Sequence, residues 1–144
     1  MDSNDSIGCR YAVRPAGLTD MNEISSIVWS SPTFGKDMAQ EILNEIGHYI
    51  REPEGDEFQT FVSVCEGRVA GFVCFGLDLG ERTYSIYWVC VSSDFQGRKI
   101  GTKLIQYAED YICRAGGRII FIETGASQSF ERARNMYSRL AYQM

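Results

Sequence analysis

The segment Ser92-Ser93-Asp94-Phe95-Gln96-Gly97-Arg98-Lys99-Ile100-Gly101-Thr102-Lys103-Leu104 mixes small residues with cations, a combination suited to holding phosphate. It lies between two runs of different periodicity. Tyr84-Ser85-Ile86-Tyr87-Trp88-Val89-Cys90-Val91 is aromatic and β-branched and predicts a buried strand. Ile100, Leu104, Ile105, Ala108, Tyr111 and Ile112 recur at helical spacing and predict a helix to about Arg114, ended by Gly116-Gly117. A strand feeding a turn that opens a helix aims several backbone N–H groups at one spot, and the helix dipole adds positive potential there. Gly97 and Gly101 let a ligand approach the backbone closely. Arg98, Lys99 and Lys103 supply charge.

The elements that must position this turn follow from the rest of the pattern. Residues 9–14 predict a short strand closed by Pro15. Thr19-Asp20 offers an N-cap to a helix carrying Met21, Ile24, Ile27 and Val28 as its stripe, broken at Ser31-Pro32. A second helix is expected over 36–51, with Met38, Ile42, Ile46, Tyr49 and Ile50 on one face, then a polar loop over 52–56. Strands over 59–65 and 68–77 flank the tight Glu66-Gly67 turn as a hairpin, and a third strand runs over 83–91. The continuous apolar run 118–123 predicts a buried strand parallel to the preceding one, since a helix connects them. Phe130, Ala133, Tyr137 and Leu140 mark a final helix. The expected order is β-α-α-β-β-β-α-β-α.

Composition narrows the function. The chain has 144 residues, enough for one domain with a core, expected over 9–144 after a flexible 1–8. A net charge of −5 argues against nucleic acid, whose affinity rests on Lys and Arg. Cysteines at 9, 65, 74, 90 and 113 form no CxxC pair and the one histidine is His48, so neither a zinc site nor a disulfide framework is expected. Reduced thiols in a cytoplasmic protein are the expectation. Residues 1–6 lack the basic and apolar regions of a signal peptide, and no apolar run reaches membrane-spanning length. No GxxxxGK[ST] motif occurs, which leaves a nucleotide-binding domain weakly supported.

The turn resembles the acyl-CoA-binding motif of the GNAT superfamily of N-acetyltransferases: Gln or Arg, two residues, Gly, one residue, then Gly or Ala, after a strand ending near a Val. Gln96 holds the first position and Gly101 the last. Lys99 stands where the family usually has its middle Gly, a departure tolerable where the residue keeps ordinary helical φ/ψ. Ala133-Arg134-Asn135-Met136-Tyr137-Ser138-Arg139-Leu140-Ala141-Tyr142 is similar to the family's final-helix segment, with Ala141 replacing a Gly. The resemblance covers nearly the whole chain. It implies the GNAT-like acyl-CoA N-acyltransferase α/β fold, a mixed twisted central sheet flanked by helices. Members normally continue with two more strands that this sequence lacks. The 118–123 strand would then show an open edge that invites pairing with another chain. Truncation and cover by a second copy, as a homodimer, are the two alternatives.

The resemblance also implies acetyl-CoA as co-substrate and direct transfer of its acetyl group to the amine of a small molecule or peptide. Backbone N–H groups of Gln96, Gly97, Arg98, Lys99, Ile100, Gly101 and Thr102 would hold the pyrophosphate. The pantetheine arm would run beside Val89 and Val91 like an added strand. Tyr137 matches the position from which many members protonate the departing sulfur, and a phenol is a proton donor at neutral pH. Glu123 ends its strand at the carboxyl edge, where α/β ligands bind, and burial there would raise its pKa towards that of a working base. Water relayed by Tyr84, Ser85 or Tyr87 is the alternative base. Asp94 is expected to fix the turn rather than move protons. Trp29, Phe34 and Tyr87, with Trp88, would wall the acceptor pocket, where aromatic faces can hold a cationic amine. The rival reading is a catalytically silent acyl-CoA-binding module.

Overall fold

The computed structural model describes residues 11–31, 34–52, 58–77, 82–117 and 119–122. The chain order is β1 (Tyr11–Pro15), a 3-10 turn (Leu18–Asp20), α1 (Met21–Ser30), α2 (Lys36–Arg51), β2 (Gln59–Cys65), β3 (Arg68–Leu77), β4 (Thr83–Val91), a second 3-10 turn (Ser93–Phe95), α3 (Ile100–Arg114) and β5 (Ile119–Ile122). The five strands form one sheet in the order β1-β2-β3-β4-β5. The first four are antiparallel to their neighbours, and β5 runs parallel to β4 as its helical connection requires. Among the described residues the first strand covers Tyr11–Pro15 and includes Pro15 opposite Phe61, a place an edge strand can give to proline.

The sheet is covered on both faces, which is why β3 is buried from Val69 to Gly76 rather than alternating. On one face Phe61, Val73, Phe75, Tyr84 and Ile86 pack against Ile100, Leu104, Ile105, Ala108 and Ile112 of α3. On the other, Val62, Val69, Phe72, Cys74 and Cys90 meet Ile24, Ile27 and Val28 of α1 and Ala39, Ile42, Leu43 and Ile46 of α2. Each fully buried side chain of this size contributes roughly 1.5–3 kcal/mol. The hairpin turn between β2 and β3 has positive φ at both Glu66 (55°) and Gly67 (75°), the conformation that matches strand twist. α3 ends as its glycines predict. The Gly117 N–H reaches the Ile112 carbonyl at 2.8 Å and the Gly116 N–H the Cys113 carbonyl at 3.1 Å, with Gly116 at φ 87°.

Asp20 does not cap α1 with its side chain. Its buried carboxylate accepts from both terminal nitrogens of Arg14, at 2.8 and 2.9 Å, and from the Gly17 N–H at 2.7 Å. These bonds tie β1 to the start of α1. The Arg14 guanidinium foremost, with the Gly17 amide, holds the Asp20 carboxyl below the usual carboxylate range. A folded-state pKa below the unfolded value makes this contribution complete above about pH 4 and lost as the pH falls through the depressed value. Asp20→Asn is therefore expected to destabilise by about 1–3 kcal/mol at pH 7, and by much less near pH 2. Urea unfolding of both proteins at the two pH values checks this, and an undiminished gap at low pH would refute the ionic origin.

The cysteines among the described residues divide into two kinds. Cys74, Cys90 and Cys113 are free, the first two buried. Burial pushes the Cys74 thiol far up and the Cys90 thiol to about 11, so both are inert at neutral pH. Cys65 is disulfide-bonded, which corrects the expectation of thiols throughout.

Candidate active site

β4 breaks its alternation at one residue. Its register with β3 passes from Cys74 opposite Trp88 to Phe75 opposite Ile86, so Tyr87 is the extra residue of a β-bulge. Tyr84, Ile86, Val89 and Val91 consequently pack on the α3 side, while Tyr87, Trp88 and Cys90 pack on the α1–α2 side. β5 pairs with residues 83–86 of β4, up to the bulge. Beyond the bulge, Trp88 to Val91 pair with Cys74 to Gly71 of β3. Val89 lies opposite Val73 and Val91 opposite Gly71 on β3.

The turn that follows is tied down by its own side chains. The Ser92 N–H donates to the Ala70 carbonyl at 2.8 Å, the Asp94 N–H to the Ser92 Oγ at 3.3 Å, and the Gln96 Nε2 to the Val91 carbonyl at 3.0 Å. Gln96, the first residue of the motif, therefore locks the end of β4 to the turn. Asp94 accepts from Arg68 at 2.7 Å, so it fixes the turn, as expected. Gly97 has φ 81°. The first helical bond of α3 runs from the Lys103 N–H to the Lys99 carbonyl at 3.1 Å, which leaves the amides of Ile100, Gly101 and Thr102 outside the i→i−4 ladder. The first turn of α3 has no acidic side chain and carries Lys103, beside Arg98 and Lys99. Cations at a helix N-terminus are opposed by the dipole, so this corner is electrostatically matched to an anion. The residues fit a pyrophosphate.

Lys99 departs from expectation. It adopts φ 63° and ψ 25°, in the left-handed region and not the helical one. A side chain there costs roughly 1 kcal/mol that glycine avoids. The family's preference for Gly at this position thereby acquires a physical reason: the turn keeps its shape and Lys99 carries the strain. Lys99→Gly is expected to raise stability by about 0.5–1 kcal/mol without changing the helix boundary. Thermal unfolding checks this, and a destabilised variant would refute it.

The remaining site residues fall into three groups. Tyr137 and Glu123 lie outside the described residues, as do residues 1–8 and the expected final helix. Tyr84 and Ser85 are buried, whereas Tyr87 is half-buried. Of the acceptor wall, Phe34, Tyr87 and Trp88 pack against the α1–α2 core, while Trp29 at the end of α1 is 45% exposed. Tyr87 joins a column that sequence reasoning missed. Phe58 stacks on Tyr49 at 4.8 Å and 14° and on Tyr87 at 5.6 Å and 9°. Trp88 leans on Phe58 at 6.2 Å and 56°. Strict alternation would assign Tyr87 and Trp88 to opposite faces, and the bulge is what brings both to the α1–α2 side. A cavity of about 320 Å3 lined by Tyr107, Asp110, Tyr111, Arg114 and Ala115 lies at the far end of α3 from the phosphate turn and has no part in this site.

A sheet covered by helices on both faces, with a bulged strand running into a helix-opening phosphate turn, defines an acyl-CoA-binding transferase fold. The model of the Acetyltransferase (GNAT) family matches residues 21–142, and the chain belongs to that family. No curated protein matches it. Among solved structures, a GNAT-family protein from Desulfovibrio desulfuricans is 22% identical, with a TM-score of 0.82 over 91% of this chain and 83% of that one. The PaiA N-acetyltransferase of Thermoplasma acidophilum, in complex with coenzyme A, is 12% identical, with a TM-score of 0.73 over 91% and 88%. The ribosomal-protein-alanine N-acetyltransferase of Brucella melitensis is 18% identical, with a TM-score of 0.73 over 94% and 93%. At these identities the likeness is one of fold. Acetyl-CoA is the co-substrate of GNAT enzymes, and their acceptors are small molecules or proteins. Among the described residues no helix is long and apolar enough to cross a membrane.

Proposed function

We propose that the chain is an acetyl-CoA-dependent N-acetyltransferase, a single domain over residues 9–144, acting on a primary amine of a small molecule or peptide. The observation that carries this reading is the bulge at Tyr87 in β4, followed by a cationic helix-opening turn whose first amides lie outside the helical ladder. In this reading the amides of the turn and of the first turn of α3 hold the pyrophosphate, and residues 89–91 align the arm. The acceptor amine attacks the thioester carbonyl carbon, so a C–N bond forms and the C–S bond breaks. Glu123 or a bound water takes the proton from nitrogen, and the Tyr137 hydroxyl protonates the departing thiolate. Trp29, Phe34 and Tyr87 border the acceptor. Phe58 stiffens the last of these by stacking. The reading includes a cytoplasmic location. The three free cysteines among the described residues support that location, and the disulfide at Cys65 counts against it.

The test is calorimetric titration with acetyl-CoA, followed by a panel of amines scored for product by mass spectrometry. Mass detection is preferred to thiol reagents because Cys113 is exposed and would react with them. One-to-one binding with acetylation of any amine establishes the function. Binding without turnover across the panel would favour the silent acyl-CoA module, for which the strained Lys99 is the specific support. A folded protein that binds no acetyl-CoA would end both readings.

A further inference from the structure

Two guanidinium groups share one aromatic ring beside the phosphate turn. Phe95 is buried, and the Arg68 Cζ lies 5.0 Å and the Arg98 Cζ 5.2 Å from its centroid. Arg98 belongs to the turn itself. Arg68 opens β3 and stands outside the motif, brought here by the antiparallel pairing of β3 with β4. Its Nη2 donates to Asp94 Oδ2 at 2.7 Å, with 54% of the arginine and 62% of the aspartate side chain exposed. An exposed ion pair of this kind adds little to stability. It does hold the guanidinium in place over the Phe95 ring. An arginine fixed in this way loses less freedom on meeting an anion than a free one would. Asp94 takes one of five N–H donors, which leaves most of the fork to a second acceptor.

Coenzyme A carries two separate phosphate groups, the pyrophosphate and the 3′-phosphate on the ribose. The turn amides account for the first. We propose that Arg68, with Arg98, receives the ribose 3′-phosphate, and that Arg68 is the residue by which this chain selects coenzyme A over its 3′-dephospho form. The inference rests on the acyl-CoA reading above and adds a residue that the motif does not contain. Phe95 is the plate that positions both cations, and Asp94 keeps Arg68 from swinging into solvent.

Titration of wild type and Arg68→Gln with coenzyme A and with 3′-dephospho-coenzyme A, at one ionic strength, tests this. Wild type is expected to prefer coenzyme A by about tenfold, the effect of one charge-assisted phosphate contact. Arg68→Gln is expected to lose most of that preference while its affinity for the 3′-dephospho form stays unchanged. A merely structural role would weaken both ligands alike, leave the ratio intact, and overturn the proposal. Equal binding of both ligands by wild type would overturn it as well, and so would a preference that survives in Arg68→Gln. Failure of folded wild type to bind either ligand would overturn the acyl-CoA reading itself, a result distinct from the others.

Discussion

Gly101→Glu is expected to abolish binding of acetyl-CoA. Gly101 is buried in the first turn of α3, where its amide lies outside the helical ladder and at the positive end of the dipole. A carboxylate there would occupy the space proposed for the pyrophosphate and repel it. It would also be attracted to the same amides, so the variant supplies its own competing anion. A loss of at least about 100-fold in affinity is expected, from like-charge repulsion and steric exclusion together. Gly101→Ala, which the family pattern permits at this position, serves as the control for folding and is expected to bind. Calorimetry on both variants, with circular dichroism to establish helix content, decides the matter. Tight binding by a folded Gly101→Glu protein would place the phosphate site elsewhere.

Tyr137→Phe carries the second large effect. If the phenol protonates the departing thiolate, its removal is expected to lower the rate of acetyl transfer by about 100-fold or more while leaving acetyl-CoA affinity nearly intact. The separation of rate from binding is the point of the test. Loss of binding with the rate would mean that Tyr137 supports the site, and an unchanged rate would mean that another group or water donates the proton. Glu123→Gln, run beside it, distinguishes a carboxylate base from water. Only the former predicts a fall in rate together with loss of the acidic limb of the pH profile.

Most of the framework was legible because it depends on local patterns. The stripes of α1 and α3, the Glu66-Gly67 hairpin and the Gly116-Gly117 stop each follow from spacing or from backbone freedom that a few neighbouring residues express; in α2 Ile42 and Ile46 are buried as expected, but Met38 is exposed and Ala39 and Leu43 take the inner face. The parallel placement of β5 beside β4 followed from the helix between them. Less of the site was legible. The corner where β4 runs into α3 was visible because its glycines and cations are contiguous in sequence. The left-handed backbone at Lys99 was not, because a lysine carries no sign of positive φ and only the closure of the turn between β4 and α3 imposes it. The bulge at Tyr87 was hidden for a similar reason. A run of aromatic and β-branched residues fits a regular strand equally well, and the extra residue appears only when β3 supplies the register.

The same division holds for charge and aromatic clusters. Sequence alone made a helix-opening, cation-rich turn after a buried strand, and with it the class of ligand proposed for it. It did not bring Arg68 to Asp94 and Phe95, although the pairing of Gly71 with Val91, continued three residues outward on each strand, leads from Arg68 to Asp94. Nor did it assemble Tyr49, Phe58 and Tyr87 into one column, since those rings come from α2, the approach to β2 and the β4 bulge. Periodicity records which side of its own element a residue faces. Which residues of different elements meet is decided by strand register and by the packing of two helical layers on one sheet, and those are properties of the assembled chain.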